Sequence, residues 1–272
     1  SPDDASKVVD EARSVARLQH PGIVTVYDVG QSNGTYFIVS EFIHGDTLAV
    51  LIRTWHPKWH EAATLIARVA EALAYAHTQG VIHRDIKPSN IIVDHNGLPH
   101  LTDFGLALRE RDELDASQSK GLVVGTPAYM SPEQARGEGH RIDGRADIYS
   151  LGVVFYELLT GRRPFSGTTR SELITQILRD EPRPPRQIDG HIPRELERIC
   201  LKALAKRVTE RYTTAGDMAE DLYLAARTGL EQEPVATCVS RSAEPRTPAA
   251  VREVPHGSSD WGVQSSLTMP VK

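Results

Sequence analysis

The residues whose types and spacing could do chemistry are His83-Arg84-Asp85-Ile86-Lys87-Pro88-Ser89-Asn90 and, a short way on, Asp103-Phe104-Gly105. Asp85 can accept the proton of a hydroxyl nucleophile, and Lys87, two residues later, can reach a phosphate. Asn90 and Asp103 offer hard oxygen ligands, the donor type that Mg²⁺ takes when it also binds substrate phosphates. A base, a phosphate-binding cation and two magnesium ligands are the parts that phosphoryl transfer needs. Each residue alone has a plainer reading, since any Asp can cap a helix and any Lys can be a solvated surface charge. The joint spacing H-R-D-x-K-x-x-N with D-F-G is what points to this chemistry.

These residues need elements to hold them. Glu61 to Gln79 has the apolar spacing of a long amphipathic helix, with Ile66, Val69, Ala70, Leu73 and His77 on one stripe and a stop at Gly80. Val81 and Ile82 then lead into His83. Ile91-Ile92-Val93 reads as a short strand, His95-Asn96-Gly97 as a turn, and Pro99 to Thr102 as the return. Such a hairpin sets Asn90 beside Asp103, where one Mg²⁺ could bind both. Upstream, residues 5 to 18 read as a helix. Ile23 to Val29 and Thr35 to Phe42 read as strands joined by Gln31-Ser32-Asn33-Gly34. Downstream, Asp147 heads a segment that is apolar on every side (Ile148, Leu151, Val153, Val154, Phe155, Leu158), the pattern of a buried central helix. Arg170 to Arg179, Arg194 to Leu204 and Thr214 to Arg227 read as further helices.

Composition sets limits. The chain has 272 residues, 40% hydrophobic and 25% charged, which suits a globular protein with a real core. A net charge of -5 speaks against nucleic acid as the main partner. Cys200 and Cys238 give neither a disulfide framework nor a zinc spacing, which points to a reducing compartment, the cytoplasm. The most apolar run, Leu151 to Leu159, is too short to span a bilayer. His56 and His60 stand four apart in a Trp-rich stretch, but Pro57 breaks any helix there, so a loop with aromatic cover is the better reading than a metal site. Residues 230 to 272 are rich in Pro, Ser, Thr and Ala and read as a disordered linker or tail, with Trp261 its one odd residue.

From about Asp10 to Ala226 the sequence resembles the catalytic domain of protein kinases, and among them the eukaryotic-like serine/threonine kinases of bacterial signalling. The Lys of Asp85-Ile86-Lys87 is similar to that of the serine/threonine class. The resemblance implies an α+β, two-lobed fold: a small β-rich N-terminal lobe, here incomplete, on a large helical one, with a domain over 1–229 and a hinge near 41–45. It implies transfer of the γ-phosphoryl group of ATP, with Mg²⁺, to Ser or Thr hydroxyls of protein substrates, with self-association for autophosphorylation as a further possibility. It also assigns roles. The Glu41 carbonyl and Ile43 amide hold adenine, and Ile92 packs under it. Ser40, at the gatekeeper position, leaves the back pocket open. Phe104 stacks with His83, Val15 and Val26. Thr126 bonds near Asp85 and Lys87, Glu133 pairs with Arg211, and Asp147 accepts bonds from the catalytic-loop backbone.

Glu11 lies in E-A-R-x-x-A-R-L-x-H-P-x-I-V, the pattern of the family's regulatory helix, where it pairs with a strand lysine. Nothing like G-x-G-x-x-G or V-A-x-K stands in the ten residues before it. The expectation is therefore a fragment of a working kinase with low activity of its own, whose parent could be membrane-anchored. A catalytically inactive kinase-like binding module is the competing reading. Leu106 to Val124 has the character of an activation loop. Arg84 matches kinases switched by phosphate there, and Ser117 and Ser119 are the hydroxyls available, though either also reads as a plain loop serine.

Overall fold

The computed structural model describes residues 15–32, 35–55, 57–104, 127–138 and 142–232. Glu11, Asn33, Gly34, His56, Gly105, Ser117, Ser119, Thr126, Cys238 and Trp261 therefore lie outside the described residues. The chain divides into two units, 1–234 and 235–272, and the elements below all belong to the first. Their arrangement is the expected α+β one, small antiparallel sheets followed by a mostly helical region.

Strand β1 (Val26–Ser32) pairs antiparallel with β2 (Thr35–Ser40), from Val26 opposite Ser40 to Ser32 opposite Thr35. The first strand starts later than the apolar pattern suggests. Ile23 instead makes an isolated parallel bridge to Leu101. The Val24 N–H donates to the Leu101 carbonyl and the Leu101 N–H to the Gly22 carbonyl, both at 2.8 Å. An unpaired strand edge needs partners for its backbone groups, and residues 22–24 supply them here. The second sheet has the order β3-β4-β5, from β3 (Gly45–Thr47), β4 (Ile91–Asp94) and β5 (Pro99–Leu101). Its β4–β5 hairpin opposes Ile91 to Leu101 and Ile92 to His100.

Helix α1 (Leu48–Leu51) is a single turn that no periodicity signals. Helix α2 (Trp59–Thr78) starts where the Lys58 N–H donates to the Glu61 carboxylate at 2.9 Å, and Ala62, Ile66, Val69, Ala70 and Leu73 form its buried face. The way this helix ends sets the path of the next segment. Gly80 adopts φ 75°, its N–H donates to the His77 carbonyl, and the Val81 N–H reaches back to the Ala76 carbonyl, each at 3.0 Å. This double closure satisfies the last turn, and glycine fills the left-handed position without steric cost. It turns the chain directly toward His83. Trp55 and Trp59 are half-buried against the core, consistent with aromatic cover.

Helix α3 (Pro132–Ala135) is short, and α4 (Gly144–Thr160) is the central helix. Asp143 caps α4 by accepting from the Arg145 N–H at 2.9 Å, and nearly every side chain from Ala146 to Leu159 is buried. Helices α6 (Arg194–Ala203) and α7 (Ala215–Gln232) pack against it, α7 also lies along α2, and α5 (Arg170–Arg179) packs instead on α3 and the Pro127–Tyr129 turn. At Gly152 a Cβ would stand 2.8 Å from that of Ala203, so glycine permits the close approach of α4 and α6. Cys200 is buried at the same contact, where burial pushes its thiol pKa up and leaves it an inert packing group. No helix among the described residues is long and apolar enough to cross a membrane.

Candidate active site

Asp147, in the first turn of α4, anchors the site. Its side chain is 1% exposed. Oδ2 accepts from the His83 backbone N–H and from the His77 ring, both at 2.8 Å, and Oδ1 accepts from the Arg84 N–H at 2.7 Å. A buried carboxylate costs several kcal/mol unless donors surround it; here two backbone amides, an imidazole and the α4 N-terminus do so. His77 thus serves more than the apolar stripe that its spacing suggests.

Within this clamp the backbone takes an unusual path. Among the described residues, Arg84 and Asp103 are the only non-glycine residues with positive φ, at 64° and 60°. Each such conformation costs on the order of 1–3 kcal/mol and needs surrounding bonds to hold it. The Arg84 peptide is held on both sides: Asp147 takes its N–H, and the Gln134 side-chain amide donates to its carbonyl at 2.7 Å. His83 is fully buried. Its Nε2 donates to the Thr102 carbonyl at 2.9 Å and its Nδ1 accepts from the Asp85 N–H at 3.3 Å, so the ring is neutral. Burial holds its pKa below the ordinary value of 6.5, against the opposing pull of the Asp147 and Asp85 charges. Phe104 packs on this ring with centroids 4.5 Å apart. Val15 is buried in the same core, and Val26 packs against it.

Strain at Arg84 delivers Asp85 to its partners. Lys87 Nζ lies 2.6 Å from Asp85 Oδ2, with both side chains about 15% exposed (16% and 15%). Pro88 opens the 3₁₀ turn Pro88–Asn90, which aims Asn90 inward. The Asn90 amide nitrogen donates to the Asp85 carbonyl at 2.9 Å and to Asp85 Oδ2 at 3.2 Å. The Thr102 N–H then donates to the Asn90 carbonyl at 3.1 Å, so the β4–β5 hairpin sets Asn90 next to the strand end that carries Asp103. Asp103 is exposed.

The donor set fits a magnesium ion shared with phosphates. With its amide nitrogen committed to Asp85, Asn90 presents Oδ1, which accepts from the rotatable Ser89 hydroxyl at 3.2 Å. No group of three His, Cys, Asp or Glu among the described residues could hold a metal. Two protein oxygens, from Asn90 and Asp103, suit an ion that takes its remaining ligands from phosphate and water.

Around this centre, Glu133 and Arg211 meet in a bidentate pair at 2.7 and 2.9 Å, with side chains 5% and 0% exposed. Burial works against the Glu133 carboxylate, but the hydrogen bonds and charge of Arg211 outweigh it and hold the carboxyl below its usual range. Arg211 also donates to the carbonyls of Ala205 and Arg145. Glu41 and Ile43 lie in the link from β2 to β3, and Ile92 stands within β4 opposite Thr47. The Glu41 N–H donates to the Thr25 carbonyl at 2.8 Å, Ile43 and Ile92 are half-buried, and Ser40 is exposed. Sequence reasoning passed over three groups here. These are Gln134, Tyr129, whose hydroxyl donates to Glu157 at 2.5 Å, and Ser150, whose hydroxyl donates to the Tyr129 carbonyl at 2.7 Å. For Gln134 the available signal was S-x-x-Q, a helix-capping pattern that says nothing of a second partner.

Comparison with known proteins adds context to this geometry. The model of the protein kinase domain matches residues 1–224. The serine/threonine-protein kinase PknB of Mycolicibacterium smegmatis is 42% identical over 217 residues, covering 78% of this chain and 34% of its own. PrkC of Bacillus subtilis is 40% identical over 215 residues, covering 78% and 32%. The chain thus spans about a third of the length of these relatives (34% and 32%). Among solved structures, that of Rad53 1-466 in complex with AMP-PNP is similar, with TM-score 0.65 and 29% identity over 80% of this chain and 54% of the other.

Proposed function

Because this chain belongs to the protein kinase domain family, we propose that it is the catalytic part of a serine/threonine kinase that transfers the γ-phosphoryl group of ATP to protein hydroxyls. The observation that carries this reading is the cluster at Asp85, where one carboxylate oxygen is bonded to Lys87 at 2.6 Å and to Asn90 at 3.2 Å. The names of the relatives support the serine/threonine class. The AMP-PNP bound to Rad53 supports a nucleotide as the donor.

In this reading Asp85 orients the acceptor hydroxyl and takes its proton as the oxygen attacks phosphorus. Lys87 holds Asp85 in register and offsets charge on the transferring group. Asn90 and Asp103 would hold Mg²⁺, which when bound neutralises phosphate charge. The backbone of Glu41 and Ile43 receives adenine, and Ile92 gives it an apolar contact. Most of the rate enhancement comes from positioning and fixed electrostatics. The kinase domain occupies 1–229, its last helix α7 running on to Gln232 rather than stopping at the expected boundary, with a linker or tail beyond. Glu11 acts through a lysine partner, and Arg84 receives a phosphate on Ser117 or Ser119. Thr126 lines the acceptor side. Glu133, Arg211 and Asp147 hold the framework.

The test is Asp85→Asn in the whole protein, assayed with ATP, Mg²⁺ and a general protein acceptor. Loss of a general base typically lowers the rate by about 10²–10⁴-fold. The expected result is a fall of that size with little change in KM for ATP. Equal phosphotransfer by wild type and Asp85→Asn would sink the assignment.

A further inference from the structure

Gln134 is the feature that neither helix packing nor the proposed chemistry accounts for. It is the third residue of α3, and its side chain has two partners of different kinds. Oε1 accepts from the Ser131 N–H at 3.0 Å, which is the ordinary business of a helix cap. Nε2 donates at 2.7 Å to the Arg84 carbonyl, 50 residues away in sequence. That carbonyl belongs to the peptide that joins Arg84, at φ 64°, to Asp85. On the other side of Arg84, its N–H is held by Asp147 at 2.7 Å. The strained residue is therefore gripped at both backbone groups, from α4 and from α3.

We infer that Gln134 is a positioning residue for phosphoryl transfer: its amide fixes the Arg84–Asp85 peptide and so sets the direction of the Asp85 carboxylate. The inference rests on the reading of Asp85 as the base. A residue in the left-handed region relaxes when its restraints are removed. Rotation about this peptide swings Asp85 relative to Lys87 and Asn90, whose own positions are set separately by the Pro88–Asn90 turn and the hairpin. A small angular error at a base costs rate and leaves nucleotide binding alone, because the hinge residues lie elsewhere in the chain. The bond also makes the segment C-terminal to residues 105–126 a direct partner of the catalytic loop.

The two functions of Gln134 can be separated. Gln134→Glu keeps an Oε acceptor for Ser131, as S-x-x-E does, but has no N–H for Arg84. Ser131→Ala removes the hydroxyl that accepts from the Gln134 N–H at 3.4 Å and leaves the Arg84 bond intact. Steady-state kinetics on the whole protein should give Gln134→Glu a kcat about tenfold lower, KM for ATP within about twofold and a melting temperature only about 2–4 °C lower, the effect of one lost part-buried bond. Ser131→Ala should lower the melting temperature slightly and keep kcat within about twofold. Amide hydrogen exchange at Arg84 and Asp85 should be faster in Gln134→Glu. The inference is overturned if Gln134→Glu has the wild-type kcat, or if its loss in kcat is matched by Ser131→Ala. If the wild type transfers no phosphate, the reading of the site fails instead; exchange then decides, and unchanged rates at Arg84 and Asp85 overturn the inference too.

Discussion

Replacing Asp147 by Asn changes one atom and should cost the fold heavily. The carboxylate serves three donors with two oxygens: Oδ2 takes His77 and the His83 N–H, and Oδ1 takes the Arg84 N–H. An amide has one acceptor. If the Asn oxygen sits where Oδ2 was, two bonds survive as weaker neutral ones, and the NH₂ group confronts the Arg84 N–H. If it flips, the NH₂ group confronts the buried His83 N–H instead, and the His77 ring must change tautomer to accept from it. The first orientation is better, and it loses a hydrogen bond to a charged group, worth about 1.5–3 kcal/mol, while leaving the part-buried Arg84 N–H unsatisfied at a further cost of up to about 1–3 kcal/mol. A total of about 3 kcal/mol is a cautious sum, since the two figures overlap. For a domain of this size 1 kcal/mol moves the melting temperature by about 2–4 °C, so a fall of roughly 6–12 °C is expected by circular dichroism. His77→Ala is the control. It removes one donor from Oδ2 at a side chain that is 17% exposed, and should lower the melting temperature by only about 2–4 °C. An Asp147→Asn protein that melts within about 2 °C of wild type, or loses less than His77→Ala, would refute the argument that this carboxylate holds the loop.

Two further outcomes rest on buried charge. Glu133→Ala leaves the Arg211 guanidinium buried without its counter-ion and should destabilise by about 3–5 kcal/mol in urea unfolding; a loss below about 1 kcal/mol would mean that the carbonyls of Ala205 and Arg145 suffice. His83 sets a pH dependence. The folded ring has a lowered pKa, whereas an unfolded histidine titrates near 6.5, so below that pH the unfolded state binds the extra proton and stability falls as pH falls. The loss approaches about 1.4 kcal/mol per pH unit until the folded pKa is reached, and is absent above about pH 7. Melting temperatures of wild type and His83→Gln, taken from about pH 7.5 to about pH 5, should therefore converge or cross toward acid; parallel curves would refute the assignment.

Much of the arrangement was legible in the sequence because it depends on local rules. The 3.6-residue period and Gly80 mark α2, and a segment apolar on all sides marks α4 as central. Turn residues around His95-Asn96-Gly97 mark the hairpin, which is why Asn90 and Asp103 were expected as neighbours. What escaped has no local signature. Helix α1 is one turn and too short for a period. Ile23 looks like the start of a strand, yet its bridge goes to Leu101 in the other sheet, a choice made by tertiary pairing. His77 falls on an apolar stripe, and no spacing tells a packed ring from one aimed at a carboxylate on another helix. The bond from Gln134 to Arg84 crosses 50 residues. The Glu133–Arg211 pair was named only through the family resemblance, since nothing in composition links two residues 78 apart.

The bridge at Ile23 has a mechanical consequence. Leu101 exchanges backbone bonds with Gly22 and Val24 on one side and pairs with Ile91 on the other. It stands two residues before Asp103. The segment feeding β1 is thus coupled to the same strand end that carries Asp103, with short hydrogen bonds and no intervening loop to absorb slack. A shift of residues 22–24 acts as a lever arm on that strand, and Asp103, already in a conformation that tolerates little rotation, is the point where the displacement is delivered.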